Sequence, residues 1–224
     1  MTALFAIVPK IAAMALLMRL LFEPFAYVAE QWEQIIYFLA VGSMFVGAFA
    51  AIAQDNIKRL MAYSSIGNMG YALIGVVVAS QDGVAAVILY LFIYLIMTAG
   101  VFAVIMNMRR DGLAAEKISD LSGLSETSPG MAYALAILMF SMAGIPPMAG
   151  FFGKLFIFEA AVAQEFYVLA VLGVISSVVA AYYYLRIVKV MFFDPAADPF
   201  DGNIPFARRA VLALAVFFVL AFIL

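Results

Sequence analysis

The chain has 224 residues, 68% hydrophobic and 12% charged, with 12 Lys and Arg against 14 Asp and Glu for a formal net charge of −2. A soluble domain is roughly 45–50% apolar by a similar count, so this composition describes a polytopic membrane protein, which the helical spans below make all-α, and no basic tract argues for nucleic acid. The chain has no cysteine and no histidine, which excludes disulfides, thiolate iron–sulfur ligation, histidine haem ligation, most zinc sites and cysteine or histidine catalysis; no redox centre or metal is expected in it.

A spanning helix needs about 20 largely apolar residues. That rule predicts seven spans in a single transmembrane domain covering 1–224: Met1–Phe22, Gln34–Ala53, Met61–Ser80, Val84–Asn107, Met131–Gln164, Phe166–Phe193 and Ala207–Leu224. The first lacks a basic leader and has Lys10 at its middle, unlike a cleaved signal peptide. The last ends in AFIL without a polar flank, and both termini suggest a longer architecture.

In the first span Lys10 directly follows Pro9. An interior proline frees the carbonyl one turn back and opens the helix locally, so an amine beside it can be hydrated or exchange protons. The alternative, a lysine snorkelling to an interface, needs proximity to a helix end. Asp55 and Asn56 before Lys58 and Arg59 read as the capped start of the third helix. That helix places Ser64, Asn68 and Tyr71 on one face, and the fourth places Tyr90, Tyr94 and Thr98 on one face. Such stripes can line a water chain, or can simply tie helices together by hydrogen bonds.

The loop Arg109–Gly130 is the longest polar piece and reads as a connector, partly helical along the surface. The fifth span contains SMAGIPPMAGFFGKLFIF (Ser141–Phe158), in which adjacent Pro146 and Pro147 must break the helix. A break at Gly144–Pro147 is tolerated in a bilayer only where protein or a water-filled cavity covers the backbone. Lys154 follows Pro147 by about 10 Å of helix rise, near mid-membrane, where a charge costs at least about 2.5–3.5 kcal/mol. A broken membrane helix with a buried amine is the anatomy of an ion pathway. Glu159 lies about 140° around the helix from Lys154. It either faces the exit side of the pathway or is a hydrogen-bonded glutamate near the helix end.

The run Tyr182–Tyr184 with Arg186 and Lys189 reads as an interfacial anchor, and Asp194–Pro205 as a turn region that only separates two spans. Lys58, Arg59, Arg109, Arg110, Lys117, Arg186, Lys189, Arg208 and Arg209 all flank alternate loops. The positive-inside rule makes those loops cytoplasmic, so the chain starts inside and ends outside. GFFGKL shares the Gly-Lys of a phosphate-binding loop but lacks its earlier glycine and its following Ser or Thr. No dinucleotide fingerprint or catalytic triad can be built.

DNIKRLMAYSSIGNMGYAL (55–73) together with AGIPPMAGFFGKLFIF (143–158) closely resembles the antiporter-like subunit N family of proton-pumping NADH:quinone oxidoreductase, respiratory complex I, and VPKIAAMALLMRL (8–20) looks like that subunit's eighth helix. The resemblance covers essentially the whole chain. Sister subunits and cation/proton antiporters share the Lys-Arg-x-x-Ala-Tyr-Ser-Ser helix, but usually carry histidine where this chain has Lys10, and one has glutamate in place of Lys154.

The resemblance implies a subunit built as two inverted five-helix repeats, of which this chain supplies the last helix of the first (1–22), the whole second (34–193) and the C-terminal helix (207–224). It implies that Lys10 is the central relay lysine and Lys154 that of the second half-channel, with Glu159, Tyr90, Tyr94, Ser64 and Asn68 as accessory candidates. NADH, flavin, iron–sulfur clusters and quinone would belong to partner subunits. The partners would be other membrane subunits of complex I, especially antiporter-like neighbours, within a bacterial inner membrane or, alternatively, an organellar one. The family's first half-channel would precede Met1, so this chain alone is not expected to pump and reads as a fragment, a split subunit or an incompletely read gene. The alternatives are a subunit of a cation/proton antiporter or membrane hydrogenase, and a non-conducting assembly scaffold.

Overall fold

The computed structural model describes residues 2–202 and 205–222. Nine helices and one small hairpin follow in order among them. Helix α1 (Thr2–Phe22) carries Pro9 in its interior and leads through a short turn into α2 (Ala29–Ile52). Next come α3 (Ile57–Val77) and α4 (Gln81–Ile105), then strands β1 (Arg109–Arg110) and β2 (Leu113–Ala114) and the single-turn α5 (Leu124–Thr127). Helices α6 (Pro129–Ala143), α7 (Ala149–Ala163), α8 (Tyr167–Phe193) and α9 (Phe206–Ala221) complete the chain. Among the described residues, α2 with its preceding turn, α3, α4 and α8 are each long and apolar enough to cross a membrane alone.

Helices α6 and α7 have 15 residues each, about 22 Å apiece, short of the roughly 30 Å hydrocarbon core. They are the two halves of one crossing. The break is made first by Gly144, which takes φ +86°, a conformation that glycine adopts without Cβ strain. Its N–H donates to Ser141 O at 3.0 Å, and Ile145 N–H donates to Phe140 O at 3.1 Å. This is the paired C-terminal closure that satisfies two end carbonyls of a helix. The prolines then prevent continuation, joined by a cis peptide bond. Gly150 brings α7 back against α6, since a Cβ there would lie 1.9 Å from Ser141 O.

Helix α2 lies along α3 at backbone contact. A Cβ on Gly47 would meet Gly67 N at 2.4 Å, and one on Gly70 would meet Met44 N at 2.8 Å. Small residues at such positions let membrane helices approach closely. Helix α9 closes α4 and α6, its Ala215 facing Gly100 and its Phe218 packed edge-on against Phe92. The apolar interior has two parts, one around Leu60, Met61, Met97 and Met139, the other around Met18, Trp32, Ile74 and Val87. Helix α3 crosses from the first to the second through Ser64, Ser65 and Asn68, all buried.

The second helix begins at Ala29, ahead of the expected span Gln34–Ala53. The connector Arg109–Gly130 is partly helical, as at α5, and also contains a β-hairpin, turned at Asp111 and Gly112 with φ +51° and +76°, the two-residue Asp-Gly turn that matches strand twist. The Asp194–Pro205 segment does more than separate spans. The Asp201 carboxylate accepts from Asp111 N–H (3.0 Å) and Gly112 N–H (3.1 Å), and Asp201 N–H donates to Arg109 O at 2.8 Å. Arg110 donates to Asp198 O at 2.9 Å and lies over the Phe200 ring.

The basic loops meet at one end of the bundle. Asn56 caps α3, accepting from Lys58 and Arg59 N–H. Its amide donates to Glu116, which also pairs with Lys58 at 2.6 Å. Arg186 reaches Asp55 at 2.8 Å, so α8 and the α2–α3 turn are pinned together. The hydrogen bonds from Lys58 and Asn56 hold the Glu116 carboxyl below the usual glutamate range.

Candidate functional site: two amines on a buried polar column

Lys154 is fixed by the ending of α6. After the turn at Gly144 has satisfied Phe140 and Ser141 carbonyls, Met142 O and Ala143 O are left over, and Lys154 Nζ donates to them at 3.0 and 3.3 Å. Its third N–H donates to Ser177 Oγ of α8 at 2.9 Å. Gly144 leaves room for the stem, a Cβ there lying 3.3 Å from Lys154 Cδ. The amine also stands over the face of Tyr71, 4.9 Å from the ring centroid, an arrangement that attracts a cation. The residue is only 5% exposed. None of the ion pairs among the described residues includes it. Its charge is therefore met by carbonyls at the negative end of a helix dipole, a hydroxyl and a π face, with no carboxylate to fix it.

A hydrogen-bonded cluster lies beside this amine. Asn68 Nδ2 donates to Ser64 O at 2.8 Å and to Tyr184 OH at 3.2 Å, while Tyr90 OH donates to Asn68 Oδ1 at 2.7 Å. Ser64 Oγ and Tyr184 OH share a further hydrogen bond. Asn68, Tyr71, Lys154, Tyr183 and Tyr184 line one enclosed gap between α2, α3, α7 and α8, too narrow for a water molecule in this conformation. At the other side, Lys10 of α1 is half-buried and its Nζ donates to Ser65 Oγ at 2.5 Å. Ser65 adjoins Ser64 in α3. One helix therefore carries groups that touch both amines, Ser65 at Lys10 and Tyr71 at Lys154.

Of the residues singled out from sequence, Lys154, Asn68 and Tyr71 line this gap, and Ser64 and Tyr90 hydrogen-bond into its cluster. Lys10 bonds Ser65, next to Ser64 in α3 but about 100° around that helix from it. Tyr94 is buried with its ring stacked on Tyr90, 6.5 Å between centroids. Thr98 is buried too, and its hydroxyl has no hydrogen-bond partner among the described residues. Glu159 stands apart. It is exposed and lines an open cleft with Asp82, Leu89 and Phe156, without a side-chain hydrogen bond in the described set.

The tyrosine run needs correction. Tyr182 is 59% exposed, but Tyr183 and Tyr184 are 1% exposed and Tyr184 belongs to the polar cluster. Successive residues on a helix point about 100° apart, so a run of three cannot share one environment. Ser65, Ser176 and Ser177 were not singled out either. Tyr71 OH donates to Ser176 Oγ at 3.3 Å. Ser177 lies 23 residues from Lys154 along the chain, and only the packing of α7 on α8 joins them.

A family model described as NADH:quinone oxidoreductase/Mrp antiporter, TM, matches residues 1–180. The chain belongs to that family. Among curated relatives, NADH-quinone oxidoreductase subunit N of Paramagnetospirillum magneticum is 54% identical over 223 residues, covering 100% of this chain and 46% of its own length. Subunit N of Rhodospirillum rubrum is 57% identical over 201 residues, 90% of this chain and 41% of its own. The chain thus spans slightly less than half the length of the curated relatives it matches. Among solved structures, respiratory complex I from Thermus thermophilus with bound aureothin aligns at TM-score 0.74 and 32% identity, covering 84% of this chain and 42% of that one. The Mrp complex from Dietzia sp. aligns at 0.75 and 26% identity, over 86% of this chain and 35% of that one. The family's antiporter-like, all-α membrane fold is therefore the fold of this chain.

Proposed function

We propose that this chain is the second half-channel of a proton-translocating subunit of an NADH:quinone oxidoreductase. Protons pass by way of Lys154 and Lys10 while partner subunits carry out the redox chemistry. The observation that carries the reading is the setting of Lys154. An amine inside the bundle that, among the described residues, is bonded to carbonyls and a hydroxyl and faces a ring, with no carboxylate partner, can gain and lose a proton without breaking an ion pair. Lys10 is the second station, reached along the α3 column of Ser65, Ser64, Asn68 and Tyr71 once the narrow gap beside Lys154 admits water. The redox groups (NADH, flavin, iron–sulfur clusters and quinone) are assigned to partner subunits, since this chain has no cysteine or histidine to ligate them. Its neighbours in this reading are other antiporter-like membrane subunits, within a bacterial inner membrane.

The test is Lys154→Ala in the full-length subunit within the assembled complex, followed by NADH-driven proton uptake into inverted membrane vesicles. The proposal expects uptake to fall with the subunit still assembled. Unaltered uptake with normal assembly would assign the chain to a scaffold role. The likeness to the Mrp complex supports a second reading, a subunit of a cation/proton antiporter. In that case cation-gradient-driven proton movement, rather than NADH-driven uptake, depends on Lys154.

A further inference from the structure

We propose that Ser177 is the residue through which Lys154 exchanges its proton. This rests on the proton-transfer reading above and assigns the exchange to one atom. An ammonium group has three N–H donors, and here all three have acceptors: Met142 O, Ala143 O and Ser177 Oγ. A neutral amine has two N–H donors and a lone pair that needs a donor. The two carbonyls cannot supply one, and neither can the face of the Tyr71 ring. Among the described residues hydrogen-bonded to Nζ, Ser177 alone both accepts and donates, because a hydroxyl rotates to suit either need. The pocket therefore holds the charged amine with every contact, and the neutral amine only if Ser177 turns its O–H toward nitrogen.

Ser177 is half-buried, whereas its α8 neighbours Val174, Ile175 and Val178 are 48%, 48% and 68% exposed and apolar, a face suited to lipid or a partner rather than to water. Water has to reach Ser177 from within the bundle, between α7 and α8. In the transfer, one N–H bond of the ammonium breaks as a new bond forms to Ser177 Oγ. The hydroxyl's own hydrogen leaves at the same time to a water molecule admitted between α7 and α8, and serine ends as it began. Reloading is the reverse: water gives a proton to Oγ as the hydroxyl hydrogen passes to the amine lone pair. One proton moves in each direction and no charged serine accumulates.

Three substitutions in the full-length subunit of the assembled complex test the assignment. Ser177→Ala removes the hydroxyl, while Ser177→Thr and Ser177→Val have nearly the same shape and differ in the hydroxyl alone. Proton uptake is read per assembled complex, alongside Lys154→Ala. Loss of a positioned proton-transfer group costs about 10²–10⁴-fold when nothing replaces it, so Ala and Val are expected to lower uptake about tenfold or more, with Thr close to wild type. If Ala fails to assemble, the Thr–Val pair decides. Equal uptake in Thr and Val, with Lys154→Ala inactive, would overturn the role of Ser177 and leave the function standing. Full uptake in Lys154→Ala would overturn the function itself.

Discussion

Lys154 Nζ lies 3.0 Å from the carbonyl oxygen of Met142, on the other half of the helix that Gly144 and the prolines interrupt. The residue that breaks the helix and the residue that uses the break are thus parts of one device. Gly144 turns the chain so that two carbonyls are left unpaired, and Lys154 returns from the next helix to occupy them.

Glycine substitutions in this device should separate by position. Gly144→Ala imposes positive φ on a residue with a Cβ, a strain of about 1–3 kcal/mol, and crowds the lysine stem. Gly150→Ala should be the more harmful, because its Cβ would overlap Ser141 O and force the two halves apart. Gly130, near which a Cβ would meet nothing, is the control. Thermal unfolding of the purified subunit should rank Gly150→Ala below Gly144→Ala, and Gly130→Ala near wild type.

Tyr184→Phe removes the hydroxyl shared by Ser64 and Asn68 and leaves buried polar groups short of a partner, at about 1–3 kcal/mol. Tyr182→Phe changes an exposed ring and should be nearly silent. A melting temperature lowered by several degrees for the first and unchanged for the second is the expected pattern. Equal effects would mean that the cluster does not hold α3 to α8.

Asp201 holds the hairpin turn through two backbone N–H groups. Asp201→Ala should leave the membrane helices unaffected and expose Arg109 and Arg110 to trypsin. Faster cleavage there, with unchanged cleavage elsewhere, is the expected result of limited proteolysis.

The Lys58–Glu116–Asn56 lock gives an acid dependence of known sign. Because the folded carboxyl is held low, its contribution to stability is present above the ordinary glutamate value of about 4.3 and is lost as pH falls through the folded one. The group is 39% exposed, so the effect is small, of the order of an exposed ion pair at up to about 1 kcal/mol. Wild type should therefore melt slightly above Glu116→Gln at neutral pH, and the margin should shrink as pH falls below the ordinary glutamate value.

Much of the site was legible as sequence because its signals are local. Pro146, Pro147 and Lys154 fall within nine residues, and the spacing of Ser64 and Asn68 is one helical turn. Both lysines stand out against apolar surroundings, where a charge has no innocent reason to be. Tyr184 and Ser177 were illegible for the opposite reason: each joins the candidate site only through contact with a residue more than 20 positions away. The Asp-Gly turn at 111–112 was a local signal that could have been read, as the pair most favoured in two-residue hairpins. Asp201, some 90 residues further on, carried no such hint of where it would dock.

The meeting of Gly47 with Gly67 has a mechanical consequence. With no side chain between their backbones, α2 and α3 have no slack through which either could slide or roll against the other. Ser65 and Tyr71, one at each amine, both belong to α3 and keep the separation that helix sets, like marks on a ruler. In the proposed reading, the opening of a route between Lys10 and Lys154 would come from turning side chains, or from α1, α7 and α8 shifting against this closely packed pair.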